Sequence, residues 1–172
     1  MQSRREIQRQ NSENRSLKLI RNLLLIILLI FLFGWGLYAV GNHPRAAARR
    51  QATQIAKKYA GLKKADAFYI YNREKTYYTV AGKNNKNQQV LVIVPQKGGN
   101  VRVVQQSKGI TKNQALTKVW QKEKPKKVLK VAPGVFNNHV VWEVTYTNHQ
   151  GNLCYDLLRF SNGQLVQQIN NL

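Results

Sequence analysis

Cysteine and acidic residues are scarce in this chain, and their scarcity argues against several classes of protein. The 172 residues include one cysteine, so an intramolecular disulfide is impossible. Asp and Glu number 7 against 28 Lys and Arg, which gives a formal net charge of +21. A hydrolase would need two carboxyl groups that converge in a cleft. Glu143 and Asp156 could lie on facing strands, and we expect them to form a surface pair bonded to lysine or arginine rather than a catalytic pair.

Metal and phosphate sites also lack their sequence patterns. His43, His139 and His149 do not have the H-x-x-x-H spacing of a helical metal site. Gly98-Gly99 lacks the Lys-Ser/Thr pair and the helix of a phosphate-binding loop. Cys154 lies in an apolar, strand-like stretch, where we expect a small buried side chain. The sequence therefore predicts no catalytic residue, no cofactor and no metal, and we do not expect an enzyme.

An uninterrupted apolar run, Leu23 to Val40, is the strongest single feature of the chain. As a helix it would span roughly 27 Å, close to the hydrocarbon thickness of a bilayer. A cleaved signal peptide normally has an apolar region of only about 7 to 15 residues. The run therefore predicts an uncleaved transmembrane helix at residues 23–40. It does not end at a cysteine, which excludes a lipoprotein.

The residues on either side of the run set the expected topology. Residues 1–22 are rich in Gln, Asn, Arg and Ser, which predicts a disordered basic cytoplasmic tail. Six Lys and Arg precede the run and five follow it within 20 residues, a weak positive-inside bias. An anchor followed by a folded domain usually translocates that domain. We therefore expect a single-pass cell-membrane protein with residues 41–172 outside the cytoplasm.

The outer region is strongly basic. Residues 41–172 carry 22 Lys and Arg against 5 Asp and Glu, which leaves a net charge of +17. In the cytoplasm such a charge would favour nucleic acid. Outside a membrane the anionic candidates are envelope polymers and lipid head groups, so we expect no nucleic acid partner. The alternative is that the charge only serves solubility.

The outer region contains an internal repeat. A shift of 64 residues places Ala47–Lys58 on Thr111–Lys122, Tyr78 on Trp142, and Gly99 on Gly163 without a gap. Each copy predicts a helix followed by a meander of about four strands. Thr111 is a good N-cap for the second helix, and Leu116, Val119 and Trp120 form its apolar stripe. We expect two helix-plus-sheet domains, at residues 45–107 and 108–172, which pack together. In the first copy, we expect the helix to be broken from the membrane helix near Gly41 and Pro44.

Four segments in a fixed order resemble a known family. They are YYTVAG at 77–82, VLVIVP at 90–95, GIT at 109–111 with Ala115, and WEVTY at 142–146, all behind one anchor. In this arrangement the chain is similar to the TseB-like (YpmB) cell wall elongation regulators of Gram-positive bacteria. The resemblance implies an α+β fold with two tandem PepSY-like, cystatin-like domains, each a helix on a curved antiparallel sheet. It also implies a non-enzymatic role in peptidoglycan synthesis through contact with a penicillin-binding transpeptidase.

Two sets of residues are candidates for binding. Exposed aromatic side chains often anchor protein interfaces, and the candidates for a protein partner are Tyr69, Tyr71, Tyr77, Tyr78 and Tyr155. Burial in the sheet is the alternative for each tyrosine, and a strand edge could also accept a partner segment. Lysines could instead hold an anionic wall polymer such as teichoic acid, and the candidates are Lys122, Lys124, Lys126, Lys127 and Lys130. The alternative lysine cluster is Lys57, Lys58, Lys63 and Lys64. A solvated lysine face is the alternative for either cluster.

Overall fold

The computed structural model describes the backbone of residues 4–172 and the side chains of residues 17–38 and 44–172. The chain separates into two compact units, one up to Ala46 and one from Ala47 to Leu172. Helix α1 spans Arg4–Ala60 and includes Pro44. The break that the sequence predicted near Gly41 and Pro44 is therefore not observed, since the backbone keeps helical geometry through the proline.

The first unit consists of the N-terminal part of α1. Residues Leu17–Tyr38 form a stretch that is long and apolar enough to cross a membrane, and all its side chains are exposed. The predicted span, residues 23–40, falls largely within it, although the side chains of 39–40 lie outside the described residues. The predicted disordered tail differs from the structure, because residues 4–22 are helical. Once an apolar helix has nucleated, extension adds one hydrogen bond per residue, which favours helix in the adjoining polar segment.

The first repeat places the end of α1 on a four-stranded sheet. Gly61, with φ of +59°, ends the helix, and β1 (Leu62–Asn72), β2 (Thr76–Asn84), β3 (Gln89–Pro95) and β4 (Arg102–Gln105) follow. The strands form an antiparallel meander in the order β1-β2-β3-β4. Ala52 and Ala56 of α1 pack on Val80 and Val92, which defines the helix face of the first sheet.

The second repeat follows the same plan. After a short 3-10 helix at Gln106–Lys108, α2 spans Lys112–Glu123. Thr111 caps it as predicted, since its hydroxyl accepts from the Gln114 amide (3.2 Å) and the Gln114 side chain accepts from the Thr111 amide (2.8 Å). The second sheet, in the order β5-β6-β7-β8, consists of β5 (Lys127–Phe136), β6 (His139–Thr147), β7 (Leu153–Arg159) and β8 (Leu165–Ile169).

The strands agree with the 64-residue repeat. Shifting β3 by 64 residues gives the bounds of β7, and the other strands of the two repeats align to within one residue at nearly every end. The sequence predicts a strand only over Lys127–Val131, whereas β5 continues through Pro133 and Gly134 to Phe136. Proline is compatible with a strand that pairs on one side only, and β5 is the edge of the second sheet. A two-residue turn, Asn137-Asn138, with both φ angles positive, joins β5 to β6.

The two repeats share one core. Leu91, Ala81 and Val104 of the first sheet pack with the residues between α2 and the second sheet, among them Trp142 and Val119. These first-sheet residues lie on the face opposite α1, which we call the far face. Since the first sheet is covered by α1 on one side and by the second repeat on the other, its central strand β3 is buried from Val90 to Val94.

Candidate functional site

A buried ion cluster joins the two repeats. Arg73, at the tip of the β1–β2 hairpin, donates from Nε to Glu143 Oε2 (2.8 Å) and from Nη1 to Gln167 Oε1 (3.0 Å). Lys130 Nζ donates to Glu143 Oε1 at 3.1 Å. The Arg73 guanidinium also lies over the Tyr155 ring, 5.4 Å from its centroid. Glu143 is 1% exposed, so these two cations compensate its buried charge. The hairpin tip therefore binds the second sheet, and we call this contact of Arg73 with Glu143 and Gln167, together with Lys130, the clasp.

Close packing behind the clasp holds the repeats in register. The Tyr71 ring occupies the space beside Gly134, where a Cβ atom would lie 2.2 Å from Tyr71 Cγ. Thr79 Oγ1 donates to the Pro133 carbonyl at 3.0 Å, and Tyr69 meets Trp142 edge to face with ring centroids 6.1 Å apart. β5 therefore lies directly on the far face of the first sheet, and Pro133-Gly134 lets it approach that closely.

The predicted tyrosines do not form one exposed surface. Tyr71 is buried, and the pKa of its phenol is raised by burial and further by Glu143, so its assignment as an exposed anchor is wrong. Tyr69, Tyr77 and Tyr155 are half-buried and contact Trp142, Tyr71 and Arg73 respectively. Tyr78 lies on the helix face beside Phe68. Alternation along a strand could not reveal that a second repeat covers the far face.

The predicted lysines divide into two groups. Lys122, Lys124, Lys126 and Lys127 are exposed around the link between α2 and β5. Lys130 is half-buried and holds Glu143, which makes it part of the clasp. The exposed four remain together as a basic surface, and Lys122 is paired there with Glu123 at 3.0 Å.

Glu143, Asp156 and Cys154 are buried in packing contacts. Asp156 pairs in register with Val144, whereas Glu143 pairs with Leu157, so the two carboxylates point to opposite faces and are both 1% exposed. The expected surface pair is therefore wrong, although Glu143 is bonded to Arg and Lys. Cys154 is buried as predicted. Within the described residues no His, Cys, Asp and Glu cluster could hold a metal ion.

Asp156 has the most perturbed environment of the carboxylates. It lies under α2, where it accepts from the Tyr146 hydroxyl at 3.4 Å. Burial raises the pKa of the Asp156 carboxyl, and the charge of Glu123 raises it further. Burial would also raise the pKa of Glu123, but the side chains of Gln168 and Lys122 outweigh it and lower that pKa. The adjoining cavity is lined by lysine, glutamine and apolar side chains and contains no second carboxylate beside Asp156.

A groove of about 500 Å³ runs between the repeats at the free edge of the first sheet. We call it the β4 groove and define it by its lining residues: Asn84, Val90, Val103, Val104, Gln105, Lys108, Asn138, His139, Val140, Arg159, Phe160 and Ser161. It is lined by both Val103 and Val104. Because successive side chains of a strand point to opposite faces, a groove that touches both lies along the strand edge.

Sequence reasoning missed the groove and one exposed aromatic residue. Trp120 was expected in the apolar stripe of α2 but is 50% exposed, because Ala115 and Val119 form the buried side of this helix. Arg102 was not singled out, yet it donates to the carbonyl and side chain of Asn138, which lines the groove. The short β4, with a polar residue at each end and a longer apolar strand beside it, was the signal for an exposed edge.

Comparisons with known proteins agree with this fold. A family model described as "Cell wall elongation regulator TseB-like domain" matches residues 51–95. The chain is 23% identical over 146 residues to the probable cell wall elongation regulator TseB of Bacillus subtilis (strain 168), which covers 84% of this chain and 91% of that protein. The solved structure of the YpmB protein from Bacillus subtilis superimposes with a TM-score of 0.63 and 24% identity, over 70% of this chain and 95% of that one.

The structural match confirms the predicted α+β fold with antiparallel sheets. The model match falls on the end of α1 and on β1 to β3, which include the YYTVAG and VLVIVP segments. The matches by family model and by sequence support a TseB/YpmB-like family assignment of this chain, and the structural match supports the fold.

Proposed function

We propose that this protein is a membrane-anchored, extracytoplasmic regulator of cell-wall elongation that acts by binding a penicillin-binding transpeptidase. The observation that carries the proposal is the pairing of a membrane-length exposed apolar helix with a second unit similar to a named cell wall elongation regulator. In the second unit, the carboxylates Glu143 and Asp156 and the thiol of Cys154 are buried in packing contacts. A role in binding, without enzymatic activity, fits this arrangement better than a catalytic role does.

The first unit supports the proposed membrane anchor. A 22-residue apolar stretch with every side chain exposed is stable in lipid rather than in water. We propose that it crosses the cell membrane once, with the N-terminus in the cytoplasm. A reporter fused after Leu172 tests this topology: alkaline phosphatase should be active there and green fluorescent protein dark, and the reverse pattern would contradict an outer location.

In-cell cross-linking of the full-length protein tests the function. The protein would be purified by affinity and its cross-linked partners identified by mass spectrometry. We expect a penicillin-binding protein among the cross-linked partners. We expect this cross-link to be lost when residues 45–172 are deleted while the anchor is kept. Recovery of the same partner by the anchor alone would contradict a role for the folded unit.

The second candidate is direct binding of an anionic wall polymer such as teichoic acid, or a role as another kind of envelope-anchored adaptor. The four exposed lysines beside α2 favour it, because they present positive charge on one surface. Glycerol-phosphate polymer should then bind the full-length protein, and the binding should weaken steeply with salt. Substitution of all four lysines by Gln should abolish it, and the matched control is the same change at Lys75, Lys83, Lys86 and Lys97, which are also exposed.

A further inference from the structure

We propose that the β4 groove binds an extended, acidic segment of the partner protein, which adds to the first sheet as a fifth strand. This inference rests on the proposed function, since it specifies where and how a protein partner would be held. It follows from the free strand edge, the apolar floor and the positive rim of the groove.

The strand edge provides the backbone contacts. β4 pairs with β3 on one side, and no other strand of the described chain pairs with its other side. In an antiparallel sheet every second residue of an edge strand points its N–H and C=O groups outward, which is the template used in strand addition. β4 has four residues, so its edge matches about 13 Å of extended chain.

The floor and the rim define the chemistry of the segment. Val90, Val140 and Phe160 provide apolar surface, and Val103 is 43% exposed beside them. Lys108 and Arg159 lie in the groove, and its lining includes no carboxylate. A segment that alternates apolar and acidic side chains would place one set on the floor and the other against the cations.

Arg159 gives an independent reason for an acidic occupant. Its Nε atom is buried and has no hydrogen-bond acceptor among the described residues. An unpaired buried donor of a charged group is unfavourable, and an incoming carboxylate would pair with it. A polyanionic polymer could also pair with Arg159, but it would leave the apolar floor and the strand edge without contacts. A peptide segment uses all three features.

Site-specific photo-cross-linking in the full-length, membrane-embedded protein tests the inference. Benzoyl-phenylalanine would replace Val103 in the groove or, as a matched control, Leu129, which is 49% exposed and lies outside the groove beside the exposed lysines. We expect position 103, and not position 129, to cross-link to a protein segment with an excess of Asp and Glu. Lys108→Glu should lower that yield about tenfold, as expected for a lost charge contact at the rim of an interface. Arg159→Glu should do the same if it folds, and Lys108→Glu keeps the test valid if it does not, because Lys108 is exposed.

The remaining outcomes separate the two proposals. Cross-linking of a penicillin-binding protein at position 129 but not at 103 would overturn the groove as the site and leave the proposed function standing. Cross-linking of a phosphate-rich polymer at position 103 would overturn the peptide segment in favour of polymer. Cross-linking of a basic or neutral segment at position 103 would overturn the acidic chemistry. Absence of any wall-synthesis protein at both positions would overturn both proposals.

A second measurement tests strand addition itself. The cross-linked segment would be synthesised and titrated onto the full-length protein in non-ionic micelles, together with a copy N-methylated at alternate amides. N-methylation removes the backbone donors without changing a side chain, so we expect at least about tenfold weaker binding. The methyl groups would be placed on the odd-numbered amides in one peptide and on the even-numbered amides in another. If both methylated peptides bound as tightly as the unmodified one, the proposed fifth strand would be overturned.

Discussion

The clasp at Arg73 should contribute more to stability than any exposed cation of this chain. Arg73→Ala removes two hydrogen bonds donated by the charged guanidinium, one to the Glu143 carboxylate and one to the neutral Gln167 amide oxygen, and bonds that involve a charged group are worth about 1.5–3 kcal/mol each. It also removes the stacking on Tyr155, about 0.5–1 kcal/mol. These terms are not additive, and Lys130 still compensates the buried carboxylate. We therefore expect a loss of about 3 kcal/mol, near the lower limit for breaking a buried ion pair.

Urea unfolding of the full-length protein in non-ionic micelles measures this loss, with tryptophan fluorescence as the signal because Trp142 is buried. Lys75→Ala is the matched control, since Lys75 lies in the same hairpin but is exposed, and it should change the free energy of unfolding by less than about 0.5 kcal/mol. Lys130→Ala should fall between the two, because the Lys130 side chain is 39% exposed and its pair with Glu143 is partly screened.

Two results would refute the reasoning. If Arg73→Ala cost no more than Lys75→Ala, the hairpin tip would not be docked on the second sheet in solution. If Arg73→Ala and Glu143→Gln showed no coupling in a double-mutant cycle, the cost would come from packing rather than from the ion pair. An unchanged m-value is the check that each variant unfolds from a native state of the same compactness.

Three further predictions concern the packing and the capping of the second repeat, each measured by the same urea unfolding. Gly134→Ala should cost about 2 kcal/mol or more, because the new methyl group overlaps the buried Tyr71 ring; an unchanged midpoint would contradict the close approach of β5. Thr111→Ala should cost about 1 kcal/mol through loss of the α2 cap, whereas Thr111→Ser should be nearly neutral. Asp156 has a raised pKa in the folded state, so the folded state binds more protons than the unfolded state above about pH 4, and stability falls as pH rises through that folded pKa. Asp156→Asn should remove this fall and be at least as stable as the parent at pH 7; a less stable variant at pH 7 with an unchanged pH profile would contradict it.

Local signals in the sequence were sufficient for most of the fold. The capping box at Thr111 is encoded within a few residues, and Gly99 and Gly163, which the repeat aligns, both have a positive φ in the structure. The 64-residue repeat carried the strand positions from one copy to the other. Strand β5 was underestimated because Pro133-Gly134 indicates a break locally, although an edge strand tolerates both residues.

The candidate site could not be predicted in the same way, because it depends on contacts between distant residues. Arg73 and Glu143 are 70 positions apart, and nothing near either residue indicates the other. Tyr71 and Tyr78 have similar neighbours in sequence, yet one is buried against Gly134 and the other is half-buried under α1. Alternation along a strand assigns its residues to the two faces of the sheet. It does not show which face a second domain covers, because that depends on the tertiary structure.

The two repeats have one plan but opposite roles where they meet. Thr79 and Glu143 occupy equivalent positions in the two repeats. The Thr79 hydroxyl donates to the Pro133 carbonyl of β5. The Glu143 carboxylate instead accepts from Arg73 at the hairpin tip of the first repeat. The equivalent edge strands differ accordingly. β8 carries Gln167, whose side chain accepts from Arg73 of the other repeat. In β4, Arg102 donates to Asn138 of the other repeat, and the edge of this strand lines the groove. Because the contact between the repeats is asymmetric, strands at equivalent positions have different surroundings, and the clasp and the β4 groove arise from the same packing.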